Sequence, residues 1–418
     1  MNYFHYKDNA LWCEDVPVTE IAGKVGTPFY LYSDRTLKHH FRVFDAAFSG
    51  VPHLTCFAVK SNSNIAVLRI FIAEGGGVDI VSGGELYRAL QAGVDTRKVV
   101  YSGVGKKVDE IEYALGADIL MFNVESSQEL EVINSCAERL RKKARIALRI
   151  NPDVDPETHP HISTGLMSNK FGIDIKKSLE EYRRARTLGQ LEIKGVSCHI
   201  GSQVTKISPF LDALERIKKL VRLLRADGMD IKYLDLGGGL GIAYDKEDVP
   251  HPSEYAKAII DASKDINCTF IFEPGRVIVG NAGILVTEVL YTKSNDAKNF
   301  IIIDAGMNDL ARPSLYNSYH RILPVIDKER EEIIADVVGP ICESGDYLAK
   351  GREISRFERG ELMAVMSAGA YGFTMSSNYN SRGRIPEVLV HDDQFFVIRK
   401  REVYGDLIRG EVIPEFLR

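Results

Sequence analysis

The stretch Cys56-Phe57-Ala58-Val59-Lys60-Ser61-Asn62-Ser63-Asn64 carries the reading of this chain. An apolar run meets a single lysine, and small polar residues follow at once. A run bounded this way by turn formers reads as a buried strand, here 54–60. Lys60 therefore falls at the C-terminal mouth of that strand, ahead of the helical pattern 65–74. An ammonium is costly at a buried strand end. Partial desolvation there frees the amine to attack a carbonyl. The functional reading is a lysine that forms a Schiff base. The competing reading is a lysine whose stem packs along the strand end while its head reaches water.

Outward from that strand, short apolar runs alternate with amphipathic ones. The main body begins at Thr27-Pro28-Phe29-Tyr30-Leu31-Tyr32 and runs to about Glu273. Strands are expected at 54–60, 77–81, 99–102, 119–122, 145–150, 193–199, 233–236 and 269–273. Helices are expected at 65–74, 84–92, 106–115, 127–141, 179–188, 208–226 and 253–263. Alternation of this kind implies a parallel sheet with helical crossovers. About eight units over roughly 250 residues fit a (β/α)8 TIM-type barrel, with an open doubly wound sheet as the alternative. After Arg276 the rhythm changes. Runs at 284–292, 300–303, 331–338, 362–367 and 395–399 lack long helices between them and suggest an antiparallel β-domain. A strand at 3–11 is expected to join that sheet, because a strand outside the barrel needs a partner. The expected division is 1–26 with the β-domain, 27–276 as the barrel and 277–418 as the β-domain.

The chain has 418 residues, 45% of them apolar, and a net charge of −5. The length fits about two or three domains. The mildly acidic balance, without a long run of one sign, argues against nucleic acid or an anionic membrane as the main partner. No apolar run approaches the length of a membrane span. Met1–Lys7 lacks the basic-then-apolar pattern of a signal peptide. The six cysteines are scattered without paired metal-ligand spacing, so no metal site is expected. A reducing, cytoplasmic setting is expected from that usage.

In barrel enzymes the chemistry sits at the C-terminal ends of the strands. Here those ends are loaded. Lys60 ends the first, Asp79 lies in the second and Arg149 in the fifth. The sixth ends in Cys198-His199-Ile200-Gly201-Ser202-Gln203. The seventh ends in Asp235-Leu236-Gly237-Gly238-Gly239-Leu240-Gly241, and the eighth in Phe272-Glu273-Pro274-Gly275-Arg276. Gly237, Gly238 and Gly239 offer bare backbone N–H groups that can cradle a phosphate; a plain tight turn is the alternative. Ser202 and Arg276 add a hydroxyl and a fixed charge for an anion. Glu273 suits the acid that faces a pyridinium nitrogen. His199 is either a ring stacked on a cofactor or a hydrogen-bonded core histidine.

Taken together, these motifs resemble the alanine-racemase-like, fold-type III, PLP-dependent decarboxylases. The resemblance also rests on Met307-Asn308-Asp309-Leu310-Ala311-Arg312-Pro313-Ser314-Leu315-Tyr316, Cys342-Glu343-Ser344-Gly345-Asp346 and Gly369-Ala370-Tyr371-Gly372, and it covers nearly the whole chain. Ser61 stands where alanine is common and Gly383 where proline is common, both away from the proposed chemistry. The resemblance implies a pyridoxal 5'-phosphate cofactor carried by Lys60. It implies cofactor contacts from Asp79, His199, Ser202, Gly237, Gly238, Gly239, Glu273, Gly275, Arg276 and Tyr371. It implies a homodimer with shared sites, in which Cys342 of one subunit donates a proton in the other. Arg276, Arg312, Tyr316, Glu343 and Tyr371 are then the substrate contacts. Arginines suit a distal carboxylate, and Glu343 suits a distal ammonium. That pattern fits meso-2,6-diaminopimelate, which would yield L-lysine and CO2 in the last step of lysine biosynthesis. Carboxynorspermidine or another diamino acid is the alternative substrate. A non-catalytic PLP-binding homologue should lack Lys60 or Cys342, and a racemase should want a tyrosine base facing the lysine.

Overall fold

A computed structural model describes residues 2–155 and 170–417. The chain divides into two compact units, one formed by residues 37–279 and the other by 1–36 with 280–418.

In the first unit, eight parallel strands close on themselves. They are β1 (His53–Ala58), β2 (Gly77–Ile80), β3 (Val99–Tyr101), β4 (Met121–Val124), β5 (Ala144–Asn151), β6 (Leu191–Ser197), β7 (Tyr233–Asp235) and β8 (Thr269–Phe272). Each pairs with the next, and β8 pairs with β1, so no edge of the eight is left open. The barrel is therefore closed, as expected, and not an open sheet. A two-residue strand, Ile173–Asp174, adds to β5.

The interior follows the two-residue period of strands. Cys56, Val100, Met121, Ala147 and Ile271 come from five strands and pack as one apolar layer. Two residues further along three of them stand Ser102, Asn123 and Glu273, all buried. The same alternation that builds the apolar layer thus delivers a polar layer to the C-terminal mouth. Aromatic side chains fill the space between strands and helices. Phe48 stacks on Phe272 at 3.8 Å and Phe57 packs on Phe71 at 4.4 Å between ring centres.

The loops at the mouth are fixed by helix caps. The Asn64 side chain accepts from the Ala66 N–H at 3.0 Å and starts the helix Ile65–Ala73. Ser82 and Ser126 each cap a helix by accepting from the N–H of a glutamate three residues on, Glu85 and Glu129. Those glutamates reach back to the N–H groups of Val81 and Glu125, at 2.7 and 2.8 Å.

In the second unit the main sheet is mixed, which corrects the expectation of an antiparallel domain. Asn299–Ile303 pairs parallel with Glu332–Val338, and Glu387–His391 pairs parallel with Phe29–Ser33. The remaining pairs in that sheet are antiparallel. Two further differences concern the N-terminal segment. Residues 29–33 do not open the barrel; they form a strand between Gly283–Ser294 and Glu387–His391. The first strand is not one run over 3–11 in that sheet. It is a hairpin, Phe4–Lys7 with Ala10–Cys13, extended by Val16–Pro17 as a separate three-stranded sheet. This small sheet docks through its apolar face: Phe4, Leu11, Cys13 and Val16 share one core with Phe29, Leu31, Ile284, Val286, Val388 and Val390.

Candidate active site

The first unit gathers ten of the expected site residues, from Lys60 to Arg276, at the mouth of the barrel. Lys60 lies in the 3-10 turn Val59–Ser61 that follows β1. In the register of β1 and β2, Ala58 stands opposite Asp79. Two residues on, the Lys60 side chain turns back, and its Nζ lies 2.6 Å from Asp79 Oδ2. Asp79 is fully buried and its Oδ1 has no hydrogen-bond partner. A lone buried carboxylate oxygen beside a lysine leaves a polar demand for a further group.

At the base of the mouth three buried side chains meet Glu273. Asn123 Nδ2 donates to Asp235 Oδ2 at 2.7 Å and to Glu273 Oε1 at 3.3 Å, and Ser102 Oγ donates to the same Glu273 oxygen at 3.3 Å. Burial pushes the Glu273 carboxyl well above its usual range; Asp235 and Asp79 add to that, and Lys60 offsets part of it. Asp235 is pushed up to about 6, again mainly by burial. A Glu273 carboxyl raised this way has an increased hold on a proton, which suits it to face a ring nitrogen.

The glycine loop follows β7 beside Glu273, whose N–H donates to the Gly237 carbonyl at 2.8 Å. The Gly237 N–H donates to Asp235 Oδ1 at 2.9 Å. The Gly238 N–H donates to His199 Nδ1 at 3.1 Å. Because Nδ1 accepts, the ring proton sits on Nε2. Burial, with the charges of Arg149 and Lys60, holds His199 well below its usual range, so the ring is neutral. A side chain at Gly238 would put its Cβ 2.2 Å from the Glu273 carbonyl oxygen, and one at Gly239 would stand 2.4 Å from that of Gly201. The close approach leaves room only for hydrogen. Gly275 is less tightly packed: a Cβ there would lie 3.0 Å from Ser61 Oγ. Beside the loop, Arg276 Nη2 donates to Ser202 Oγ at 2.9 Å and Nη1 to Tyr244 Oη at 2.8 Å. The fixed guanidinium and the two hydroxyls beside the loop are a donor set that suits an anion.

These residues fit pyridoxal phosphate. A lysine for its aldehyde, an acid for its ring nitrogen, a neutral imidazole and a glycine cradle for its phosphate share one buried mouth. Sequence reasoning passed over Ser102, Asn123 and Tyr244. The available signal was a lone polar residue two places beyond an apolar one at a strand end, which Ser102 and Asn123 share.

The remaining expected residues lie in the second unit. Cys342 is exposed and its N–H donates to Asn380 Oδ1 at 2.7 Å. It opens a turn in which Glu343 is also exposed. The turn is tied down by Asp346, whose oxygens accept from the Ile341 and Met307 N–H groups, each at 2.6 Å. Arg312 starts the short helix Arg312–Tyr316 and is buried. Its Nε donates to His320 Nε2 at 3.4 Å and its Nη2 to Ser318 Oγ at 3.2 Å. Ser314 Oγ donates to the Gly345 carbonyl at 2.5 Å, which joins the helix carrying Arg312 and Tyr316 to the turn carrying Cys342 and Glu343. Tyr371 sits in the left-handed region, with φ of 56°.

Among the described residues no helix is long and apolar enough to cross a membrane, and no group of histidine, cysteine or carboxylate side chains could hold a metal ion.

The comparisons agree with this geometry. Residues 34–280 match the family described as pyridoxal-dependent decarboxylase, pyridoxal binding domain, and that span nearly coincides with the barrel unit. The chain is 52% identical to the diaminopimelate decarboxylase of Aquifex aeolicus, over 97% of this chain and 96% of that one. It is 54% identical to that of Haemophilus influenzae, over 97% and 98%. Among solved structures, the diaminopimelate decarboxylase of Helicobacter pylori complexed with L-lysine superposes with a TM-score of 0.91 at 44% identity, covering 94% of this chain and 98% of that one. The enzyme of M. jannaschii superposes with a TM-score of 0.94 at 38% identity, over 100% and 99%. With a closed barrel, a lysine–carboxylate–glycine mouth and relatives matched nearly end to end, the chain belongs to the pyridoxal-dependent decarboxylases, in the diaminopimelate decarboxylase family.

Proposed function

We propose that this chain converts meso-2,6-diaminopimelate to L-lysine and CO2, the last step of lysine biosynthesis, with Lys60 and Cys342 as its catalytic residues. The observation that carries the reading is the buried Arg312 guanidinium, tied through Ser314 to the turn that bears Cys342 and Glu343. A substrate with a second amino-acid end needs a cation for the distal carboxylate and an acid for the distal ammonium. Arg312 and Glu343 supply that pair, with Tyr316 and Tyr371 adding hydroxyls. A simple diamino acid such as ornithine has no second carboxylate for a buried arginine to meet.

Pyridoxal phosphate, when bound, supplies a ring that takes up the electron pair left as CO2 departs. The residues do the rest. Lys60 Nζ would hold the cofactor, with Asp79 Oδ2 orienting that amine. Glu273, its carboxyl raised by burial, would serve the ring nitrogen. His199, a neutral imidazole, would pack against the ring. Ser202 and Arg276, beside the glycine loop, would hold the phosphate, which leaves Arg312 for the substrate. Cys342 Sγ would be the proton donor of the reaction.

The working form is a homodimer in which the partner's Cys342 serves the barrel of the first subunit. The free cysteines and the small-molecule chemistry support a cytoplasmic setting. Product analysis tests the reading. Purified protein with pyridoxal phosphate and meso-2,6-diaminopimelate should form L-lysine and CO2 in equal amounts; an unchanged substrate pool would refute it.

A further inference from the structure

We infer that His320 is a positioning residue that sets the plane of the Arg312 guanidinium, and so the enzyme's preference for a substrate with a distal carboxylate. The inference rests on the reading of Arg312 as the distal-carboxylate contact. His320 is fully buried. Its Nδ1 lies 2.9 Å from the Met366 carbonyl oxygen. An oxygen with no hydrogen of its own can only accept, so Nδ1 carries the ring proton. Its Nε2 is then a bare lone pair, and it accepts from Arg312 Nε at 3.4 Å. Both bonds require the neutral ring in a single tautomer.

The ring is itself fixed from the backbone side. The His320 carbonyl accepts from Arg352 Nη1, and that guanidinium lies 4.1 Å over the Tyr319 ring. The Met366 carbonyl belongs to the residue that follows the strand Leu362–Val365, so the reference point for the ring is the end of a strand paired on both sides. The order of support therefore runs from sheet to imidazole to guanidinium. The Nη2 bond to Ser318 Oγ at 3.2 Å adds a second in-plane restraint. A guanidinium has five N–H donors in one plane, so two restraints on that plane aim all of them. An arginine held this way is ready for a carboxylate without losing side-chain freedom on binding.

Two substitutions separate this from a merely structural role. In H320N the amide can still donate to Met366, but the shorter side chain no longer offers an acceptor to Arg312 Nε. In H320Q the longer side chain can present an oxygen to Arg312. One hydrogen bond to a charged group corresponds to about tenfold in binding. The holoenzyme carrying H320N is therefore expected to show a KM for meso-2,6-diaminopimelate raised about tenfold, with kcat within about twofold. The inhibition constant of L-lysine, whose remaining carboxylate is the distal one, should rise by a similar factor, whereas that of cadaverine, which lacks this carboxylate, should stay within about twofold. H320Q should recover KM to within about threefold of the parent. A KM unchanged in H320N overturns the inference, as does a KM that rises together with the cadaverine constant, or a Gln variant no better than Asn. If H320N does not fold, S318A gives the same test, with KM expected to rise about threefold and the cadaverine constant unmoved; an unmoved KM overturns the inference. R312K separates the two levels. If R312K leaves KM unchanged, the reading of Arg312 fails; if R312K raises KM and H320N does not, only the inference about His320 fails.

Discussion

Lys60 Nζ and Asp79 Oδ2 stand 2.6 Å apart at the ends of two neighbouring barrel strands, the lysine side chain about one-third exposed and the aspartate fully buried. The pair is set by register: Ala58 opposes Asp79, and a 3-10 turn swings Lys60 back over it. The amine is thus presented to the mouth while its charge is met from below.

The first prediction concerns that amine. Lys60→Ala removes the group that holds the cofactor and no apolar contact of the core. The variant should fold with an unchanged far-ultraviolet spectrum, lose the visible absorption of the lysine-linked cofactor and show no measurable turnover. Retained visible absorption would show that another amine carries the cofactor.

The glycine loop makes a steric prediction. Ala at 238 would place Cβ 2.2 Å from the Glu273 carbonyl oxygen, which is backbone and cannot yield alone. Gly238→Ala should weaken cofactor binding by about a hundredfold or more, read by fluorescence titration. Gly189, where an added Cβ meets nothing within 4 Å, is the control and should bind as the parent does.

Asp235 gives a pH dependence with a definite sign. Burial holds it at about 6, above its ordinary 3.8. Below about pH 4 the group is protonated whether the chain is folded or not, and it costs nothing. Between about 4 and 6 the folded state holds the proton more tightly, so this group's contribution falls as pH rises, by about 3 kcal/mol. Asp235→Asn keeps an acceptor for the Gly237 N–H but does not titrate. Urea unfolding of cofactor-free protein at pH 4 and pH 7 should therefore show the variant gaining on the parent at the higher pH. Parallel stabilities at both pH values would contradict the raised carboxyl.

Much of the site was legible because its chemistry follows apolar runs. Lys60, His199, the glycine triplet and Glu273 each stand directly beyond a strand. Their positions in sequence become positions on one rim once the strands close. Ser102 and Asn123 carry no motif and emerge only when the barrel interior is seen as alternating layers. The strand at 29–33 was assigned to the wrong unit because five consecutive buried residues look the same in a barrel wall and in a covered sheet. Its place is decided by pairing with Gly283–Ser294, some 250 residues away, which no local pattern records. Strand direction in the second unit escaped for the same reason: the segment from 304 to 331 lets Glu332–Val338 return parallel to Asn299–Ile303. His320 gave no signal at all, since its role lies in contacts to Arg312 and Met366 that local sequence leaves unseen.

The shared site of the proposed dimer predicts complementation. Cys342→Ala should keep the visible cofactor spectrum and lose turnover by about a hundredfold or more. Mixed with Lys60→Ala under conditions that exchange subunits, it should recover roughly a quarter of parental activity. Half of the dimers are then mixed, and each has one intact site of two. Recovery absent from a verified mixed dimer would place lysine and thiol in the same subunit's site.

The most direct measurement is CO2 release by the purified holoenzyme across meso-2,6-diaminopimelate, carboxynorspermidine, ornithine and L-lysine. The account predicts kcat/KM for diaminopimelate at least about a hundredfold above the others, because only a two-headed amino acid satisfies both Arg312 and Glu343. Release from ornithine or carboxynorspermidine, with none from diaminopimelate, would contradict it.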